Sequence, residues 1–423
     1  MNIKLIDPAK NINDTFNVRI TDGVFTHIDK DECQTSLNEA VLIDGTNLIM
    51  CPGFIDIHVH LREPGQEDKE TIKSGTDSAA NGGFTGVVCM PNTKPDIDNV
   101  TVVEYIKNRS KDLLTDVYIS AAITKNRKGE SITEMLELHD AGVVLFTDDG
   151  APVSRTDVMK LAFEYAATRD LALSQHCEDT QLTGDFTMNE SELSYQLGLK
   201  GYPRIAEEII LYRDIRMADY YGNRRYHAQH LSTAGAIDLV RYAKIKGQRV
   251  TCEVTPHHFV LTEENMRTYN SNYKMNPPLR QQSDVDGIIE GIIDGTVDCI
   301  ATDHAPHTLN EKHSNIESAP NGIIGLETAL GLSMTYLVHK NHISITKLIE
   351  LMSVNPRTIL QLPQPEIKLA AKANVSIFDP NEEWTVNKKM FMSKSSNSPF
   401  EGFVLKGKPK YTINNNKFIE CLL

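Results

Sequence analysis

Eight short apolar runs, separated from one another by helical stretches, constrain this chain more than any other feature. They are FIDIHVH (54–60), TGVVCMPN (85–92), DVYISAAIT (116–124), GVVLFTDD (142–149), LALSQHC (171–177), RYHAQHLS (225–232), RVTCEVTPHH (249–258) and DCIATDHAPH (298–307). Strands alternating with helices are the mark of an α/β fold. Eight such units over roughly 280 residues match a TIM-type (β/α)8 barrel better than a doubly wound sheet. No GxGxxG or phosphate-binding loop follows the first run, which weakens a nucleotide-binding alternative.

The helical stretches carry recognisable ends. Ser131-Ile-Thr-Glu134 reads as a capping box ahead of MLELHDAG, with Gly142 placed to stop that helix. Pro203 opens IAEEIILYRDIRMADYYG and Gly222 ends it, while STAGAIDLVRYAKIKG runs from Ser232 to Gly247. Residues 1–50 read as short strands and turns, with Asp22-Gly23 suited to a type I′ hairpin. After a last helical region, ITKLIELMSVNPRTILQL, residues 365–423 return to β-like segments, and Asn414-Asn415-Asn416 reads as a hairpin turn. The expected organisation is a barrel over 51–364 flanked by one small β-sandwich domain, built from both chain ends (1–50 and 365–423).

Composition narrows the function classes. A chain of 423 residues with 40% hydrophobic and 24% charged residues is that of an ordinary globular protein. The N-terminal stretch lacks the basic flank and apolar core of a signal peptide, and no apolar run approaches the roughly 18 residues of a membrane span, so a cytosolic protein is expected. A net charge of -14 argues against nucleic acid as partner. It also means that an anionic substrate would need locally placed positive groups. Cysteines at 33, 51, 89, 177, 252, 299 and 421 form no CxxC pair and read as reduced, mostly buried thiols.

His58 and His60 stand two apart at the end of the first run. A strand has a period of two, so both imidazoles face one side and can grip one ion. Two nearby histidines are weak evidence by themselves. Other candidate ligands end other runs, however: Asp148-Asp149 the fourth, His176 the fifth, His230 the sixth and Asp303 the eighth. In a (β/α)8 barrel the C-terminal strand ends converge on one site, so a metal centre is expected there. Imidazole and carboxylate without thiolate suit Zn2+, with Mn2+, Co2+ or Fe2+ as alternatives. Four histidines and two carboxylates exceed the ligands of one catalytic zinc and point to two ions sharing a bridging carboxylate. Such a centre lowers the pKa of a bridging water to about 7 and polarises a carbonyl, which is hydrolase rather than redox chemistry. Periodicity leaves open which of Asp148 and Asp149 points in. His227 is expected to face away from the site and pack, His257 and His258 to support the end of the seventh strand, and His139 and His313 to be solvated.

At these residues the chain resembles the amidohydrolase superfamily, and within it the class I bacterial dihydroorotases. The resemblance is carried by GFIDIHVHLREPGQEDKETI, GGFTGVVCMPNT, FTDDG, QHCED, AQHLST, EVTPHH, KMNPPLR, ATDHAPH and GIIGLET, which span nearly the whole chain. It implies that His58 and His60 hold one zinc with Asp303, that His176 and His230 hold the second, and that Asp149 bridges them. FTDDG has no lysine, so the carboxylated lysine of some relatives is replaced by aspartate. The resemblance further implies that Arg62, Asn92 and His307 hold a substrate carboxylate, that Asn276 contacts the substrate ring, and that backbone groups around Asn321 and Gly322 do likewise. Many relatives have Phe where this chain has Asn321. The polar stretch Thr308–Pro320 reads as a lid over the site.

The implied activity is the reversible interconversion of N-carbamoyl-L-aspartate with (S)-dihydroorotate and water in pyrimidine synthesis, through a metal-bridged hydroxide with Asp303 as catalytic proton shuttle. The implied partner is a small-molecule substrate, with association with aspartate transcarbamoylase as a further candidate; a homodimer is expected as the commonest closed assembly, and charge and hydropathy leave no nucleic acid or membrane partner expected. The rival readings are a hydantoinase or allantoinase, for which Arg62 and Asn92 would have no carboxylate to bind, and a non-catalytic scaffold for the transcarbamoylase, which would not need a complete ligand set.

Overall fold

The computed structural model describes residues 2–31 and 41–423. The eight apolar runs form eight parallel strands: β1 (Phe54–Val59), β2 (Phe84–Cys89), β3 (Asp116–Ala121), β4 (Val143–Phe146), β5 (Leu173–Gln175), β6 (Tyr226–Ala228), β7 (Val250–Val254) and β8 (Cys299–Ile300). They pair in chain order. The ladder then closes on itself, because Val59 bridges His304 and the His60 amide donates to the His304 carbonyl at 2.9 Å. Closure removes the sheet edges, and helices cover the outer face. Strands β1 and β2 are therefore buried along their whole length, which is why they read as continuous rather than alternating apolar runs.

The helix signals hold in part. Pro203 and Gly222 bracket the helix Ile205–Tyr220. Thr233, not Ser232, caps Ala234–Ile245, its side chain accepting from the Ala236 amide. The Ser131–Glu134 capping box does not form. Ile132 bridges Thr124 and the Ser131 carbonyl accepts from the Lys125 amide, so this segment is extended and the helix begins only at Met135. His257 and His258 lie beyond β7, in the short helix Pro256–Val260, because Pro256 suits a first helical turn.

The two chain ends meet in one seven-stranded sheet. Its order is Lys417–Glu420, Val404–Asn414, Val375–Thr385, Ile49–Pro52, Ile3–Asp7, Ile12–Thr21, Val24–Asp29. Both expected hairpins form: Asp22 and Gly23 have φ of 49° and 72°, and Asn415 and Asn416 have φ of 53° and 56°. The sheet folds over a core of its own, in which Phe25 of the N-terminal hairpin packs with Leu5, Met50, Val375 and Ile377. Cys51, Cys89, Cys177, Cys252, Cys299 and Cys421 are buried and free, and Cys33 lies outside the described residues. Among the described residues no helix is long and apolar enough to cross a membrane.

Gly53 joins this sheet to β1. Its amide donates to the Asn374 carbonyl at 3.1 Å, and its carbonyl accepts from Arg357 Nη1 at 2.7 Å. A Cβ there would lie 2.1 Å from Thr85 Oγ1 and 2.2 Å from Asn374 Oδ1, which hydrogen-bond each other at 2.7 Å. Gly53→Ala is expected to break that bond and destabilise the protein by about 1–3 kcal/mol. A thermal midpoint equal to that of the parent protein would show that the join has slack.

Candidate metal centre

The site is built where the strands run out. His58 is on β1, and His60, Asp149, His176, His230 and Asp303 lie just past the ends of β1, β4, β5, β6 and β8. All six are buried. Arg62, His230 and Asp303 have φ of 62°, 31° and 47°, a left-handed backbone that costs a non-glycine residue of order 1–3 kcal/mol where surroundings enforce it. The turns aim each side chain across the mouth of the barrel. Asp303 is held by its neighbours: the Thr302 amide donates to Asp56 and the His304 amide to Thr302 Oγ1.

Asp149 is the hub of the cluster. Its Oδ1 lies 3.3 Å from His58 Nε2, 3.7 Å from His230 Nε2 and 3.9 Å from His176 Nδ1, and its Oδ2 lies 3.5 Å from His60 Nε2. Asp303 Oδ1 is 2.9 Å from His60 Nε2 and 3.5 Å from His58 Nε2. Asp148 points elsewhere, accepting from the Thr124 amide and hydroxyl.

The outer nitrogens bear on the tautomers. His58 Nδ1 is 2.6 Å from Glu253 Oε1, His60 Nδ1 is 2.8 Å from Asn92 Oδ1, and His176 Nε2 is 3.0 Å from Glu178 Oε2. Each faces an acceptor, the arrangement in which an outer nitrogen donates and the inner nitrogen offers its lone pair to a bound ion. Bare lone pairs otherwise confront carboxylate oxygens, and His58 Nε2 is buried without a hydrogen bond. Only a positive charge relieves this crowding. Burial alone would lower His58, yet Asp149, Glu253 and Asp303 hold its pKa well above the usual value. Burial would likewise raise Asp149 and Asp303, and the surrounding imidazoles hold both below the usual carboxylate range. A divalent cation satisfies the same set without protons, and the residues fit one: three sets, His58–His60–Asp149, His58–His230–Asp303 and Asp149–His176–His230, place their donor atoms close enough to share an ion. A fourth, His227–Glu253–Cys299, lies deeper. There Glu253 is committed to two histidines, and burial pushes the Cys299 thiol well up, so this set reads as support.

His227 departs from expectation. It faces the barrel interior, with Nε2 3.2 Å from Glu253 Oε2 and Nδ1 2.9 Å from Thr251 Oγ1. β6 ends at Ala228 and the left-handed turn at His230 resets the strand period, so both histidines point inward. His258 is a support, bonded to Thr255 and the Pro277 carbonyl, and burial drives His257 down to about 3. His139 and His313 are exposed.

Beside the cluster, Arg62 Nε donates to the Pro306 carbonyl at 3.1 Å, and its Nη2 lies 3.4 Å from His307 Nε2. Lys69 Nζ and Glu311 Oε2 both approach His307 Nδ1, each at 3.5 Å. Burial, then Arg62 and Lys69, push His307 down to about 3, so this ring is neutral. Asn92, its Oδ1 held by His60, has its NH2 left to donate. Arg62 and Asn92 line a cavity of about 460 Å³ with Lys94 and Arg127. Asn276 Nδ2 donates to Glu178 Oε2 at 3.0 Å. The Gly322 amide donates to the Lys274 carbonyl and its own carbonyl accepts from Lys312 and Asn397, whereas Asn321 Oδ1 is buried without a partner. The expected lid contains a helical turn, Leu309–Lys312, and buried Lys312 ties it to the carbonyls of Pro320 and Gly322.

Glu178 and Glu253 escaped the sequence reading. Both left a signal: an acid inside the apolar run RVTCEVTP is out of place unless paired, and Glu178 follows His176 by one strand period.

A family model described as dihydro-orotase-like matches residues 47–236. The chain is 45% identical to the dihydroorotase of Acetivibrio thermocellus over 98% of this chain and 97% of that protein. It is 44% identical to that of Ruminiclostridium cellulolyticum over 97% and 95%. Among solved structures, L-hydantoinase (dihydropyrimidinase) from Arthrobacter aurescens superposes with a TM-score of 0.87 at 22% identity, covering 100% of this chain and 95% of that one. D-hydantoinase (dihydropyrimidinase) from Thermus sp. gives 0.78 at 21%, covering 99% and 96%. At such identity the likeness is one of fold.

Glu253→Gln keeps the shape but offers one carbonyl oxygen where two imidazoles and the His230 amide now meet a carboxylate. Metal affinity, measured by chelator competition, is expected to fall by about 10- to 100-fold. Unchanged affinity would reduce this contact to packing.

Proposed function

This chain belongs to the dihydroorotase family, and from that premise we propose that it catalyses the reversible closure of N-carbamoyl-L-aspartate to (S)-dihydroorotate and water. The observation that carries the reading is the convergence of Arg62, Asn92 and His307 beside the histidine–aspartate cluster. Arg62 and Asn92, neither with a carboxylate partner among the described residues, and His307, whose Nδ1 side meets Glu311 Oε2 at 3.5 Å, offer a socket for a substrate carboxylate beside a centre suited to amide hydrolysis. A hydantoin or allantoin ring carries no carboxylate for that socket.

In this reading His58, His60 and Asp303 hold one zinc ion, His176 and His230 hold a second, and Asp149 is shared. Such ions, when bound, supply an activated water and polarise the amide carbonyl. The chain's own residues do the rest. Arg62, charged even though burial lowers it to about 10, anchors the carboxylate as a planar fork, and neutral His307 and the Asn92 amide add donors. Fixing that end of the substrate fixes where its amide lies. Asp303 is the proton shuttle: its imidazole contacts both use Oδ1, so Oδ2 takes the proton and delivers it to the ring nitrogen as the amide opens, then recovers it on closure. Burial of the cluster keeps bulk water from competing. The acidic chain, at -14, would admit an anion through the local positive charge of Arg62 together with that of the ions when bound. The same reading makes it a cytosolic enzyme working as a homodimer.

The test is turnover of dihydroorotate, hydantoin and allantoin by metal-analysed protein. Dihydroorotate should be preferred, and equal or faster turnover of hydantoin would defeat the assignment. Arg62→Ala should raise KM for dihydroorotate by about 10- to 100-fold, the loss expected for a charge-assisted hydrogen bond. Metal content should be retained, whereas a fall in metal would make Arg62 a structural residue.

A further inference from the structure

We propose that Glu178 is a positioning residue that sets the hydrogen-bond polarity of the ring-recognition side of the site, by holding the Asn276 amide so that its carbonyl oxygen is presented to the substrate. The inference rests on the dihydroorotase reading above and deepens it.

Glu178 is buried and accepts from three donors: His176 Nε2 at 3.0 Å, Asn276 Nδ2 at 3.0 Å and Thr183 Oγ1 at 2.5 Å. A carboxyl group that already accepts from His176 on Oε2 and from Thr183 on Oε1 presents acceptor oxygens to Asn276, so the NH2 end of that amide faces it. The amide orientation is thereby chemically determined. Asn276 Oδ1 is then left buried with no donor. A buried acceptor without a donor is unfavourable, so the occupant that completes the site must bring an N–H to it.

Asn92 shows the opposite arrangement. His60 Nδ1–H occupies its oxygen, and its NH2 remains free. Two asparagines, each tethered through the outer side of an expected metal-ligand histidine or its partner, therefore present opposite polarities. One donates to a carboxylate and the other accepts from a ring N–H. Glu178 Oε2 serves His176 and Asn276 together, so the same atom orients a ligand and a recognition group.

The experiment uses metal-analysed wild-type protein with E178Q and N276A. Two dihydroorotate analogues, each with one ring N–H replaced by CH2, serve as competitive inhibitors. Wild type should bind one of them about 10- to 100-fold more weakly than dihydroorotate, because Asn276 Oδ1 is left unpaired. In E178Q the new side-chain amide can donate to Asn276 Oδ1 and let that amide turn. KM for dihydroorotate should then rise about tenfold, and the analogue penalty should shrink below about threefold. N276A should abolish the penalty as well, with metal content at the wild-type level, and E178Q, whose parent residue also contacts His176, is assayed with metal supplied to saturation. E178A repeats the measurement should E178Q not fold. The proposal is overturned if wild type binds both analogues as tightly as dihydroorotate. It is equally overturned if the Glu178 variants keep the full penalty, with or without loss of metal, since Glu178 would then serve His176 alone. Failure of the parent reading appears separately, as wild-type protein that does not turn over dihydroorotate.

Discussion

Closure of the parallel sheet between β1 and the segment that follows β8 is the constraint on which the rest of the molecule depends. Val59 bridges His304, the His60 amide donates to the same residue, and Arg62 Nε donates to the Pro306 carbonyl. These contacts join two stretches of chain more than two hundred residues apart. They also set His58 and His60 against Asp303, and Arg62 against His307. The left-handed backbone at Arg62 and Asp303 persists because that pairing holds both from either side. An open sheet with the same strands would leave the two halves of the site on opposite edges.

Within the closed barrel, electrostatics determines which atoms face inward. Four imidazoles and two carboxylates packed without solvent would repel one another if their lone pairs were disposed at random. Glu253, Asn92 and Glu178 prevent this by taking the outer N–H of His58, His60 and His176, which turns the inner lone pairs toward a common point. The cluster is thus organised from outside inward. His227 belongs to the same scheme, holding the second oxygen of Glu253.

The frame is shared with hydantoinases that are about one-fifth identical in sequence, as expected of a fold in which chemistry is set by residues beyond the strand ends. Arg62 after β1, Asn92 after β2, Asn276 in the loop before the helix Gln282–Asp294, and His307 after β8 all lie in such segments. None contributes to the ladder.

The alternation of eight apolar runs with helices was enough to establish a barrel, because parallel strands buried on both faces must be apolar throughout. The HxH pair and the acids and histidines ending other runs were enough to place a cluster of candidate metal ligands at one mouth, because strand ends converge there whatever the loops do. Local signals failed where a longer-range contact competed with them. Ser131–Glu134 is extended because it pairs with Thr124, and His227 points inward because β6 ends before His230 turns. Glu253 and Glu178 stood in the sequence as acids in unexpected places, but their partners are fixed only across the barrel. The sequence by itself determined the fold and the histidines and acids gathered at one mouth, though not the choice between Asp148 and Asp149, because periodicity places residues along a strand but does not settle the turn beyond it. Only the tertiary structure decided which nitrogen of each histidine and which end of each asparagine faces the site. Those choices are made by a hydrogen bond to a residue on another strand, and no spacing along the chain encodes it.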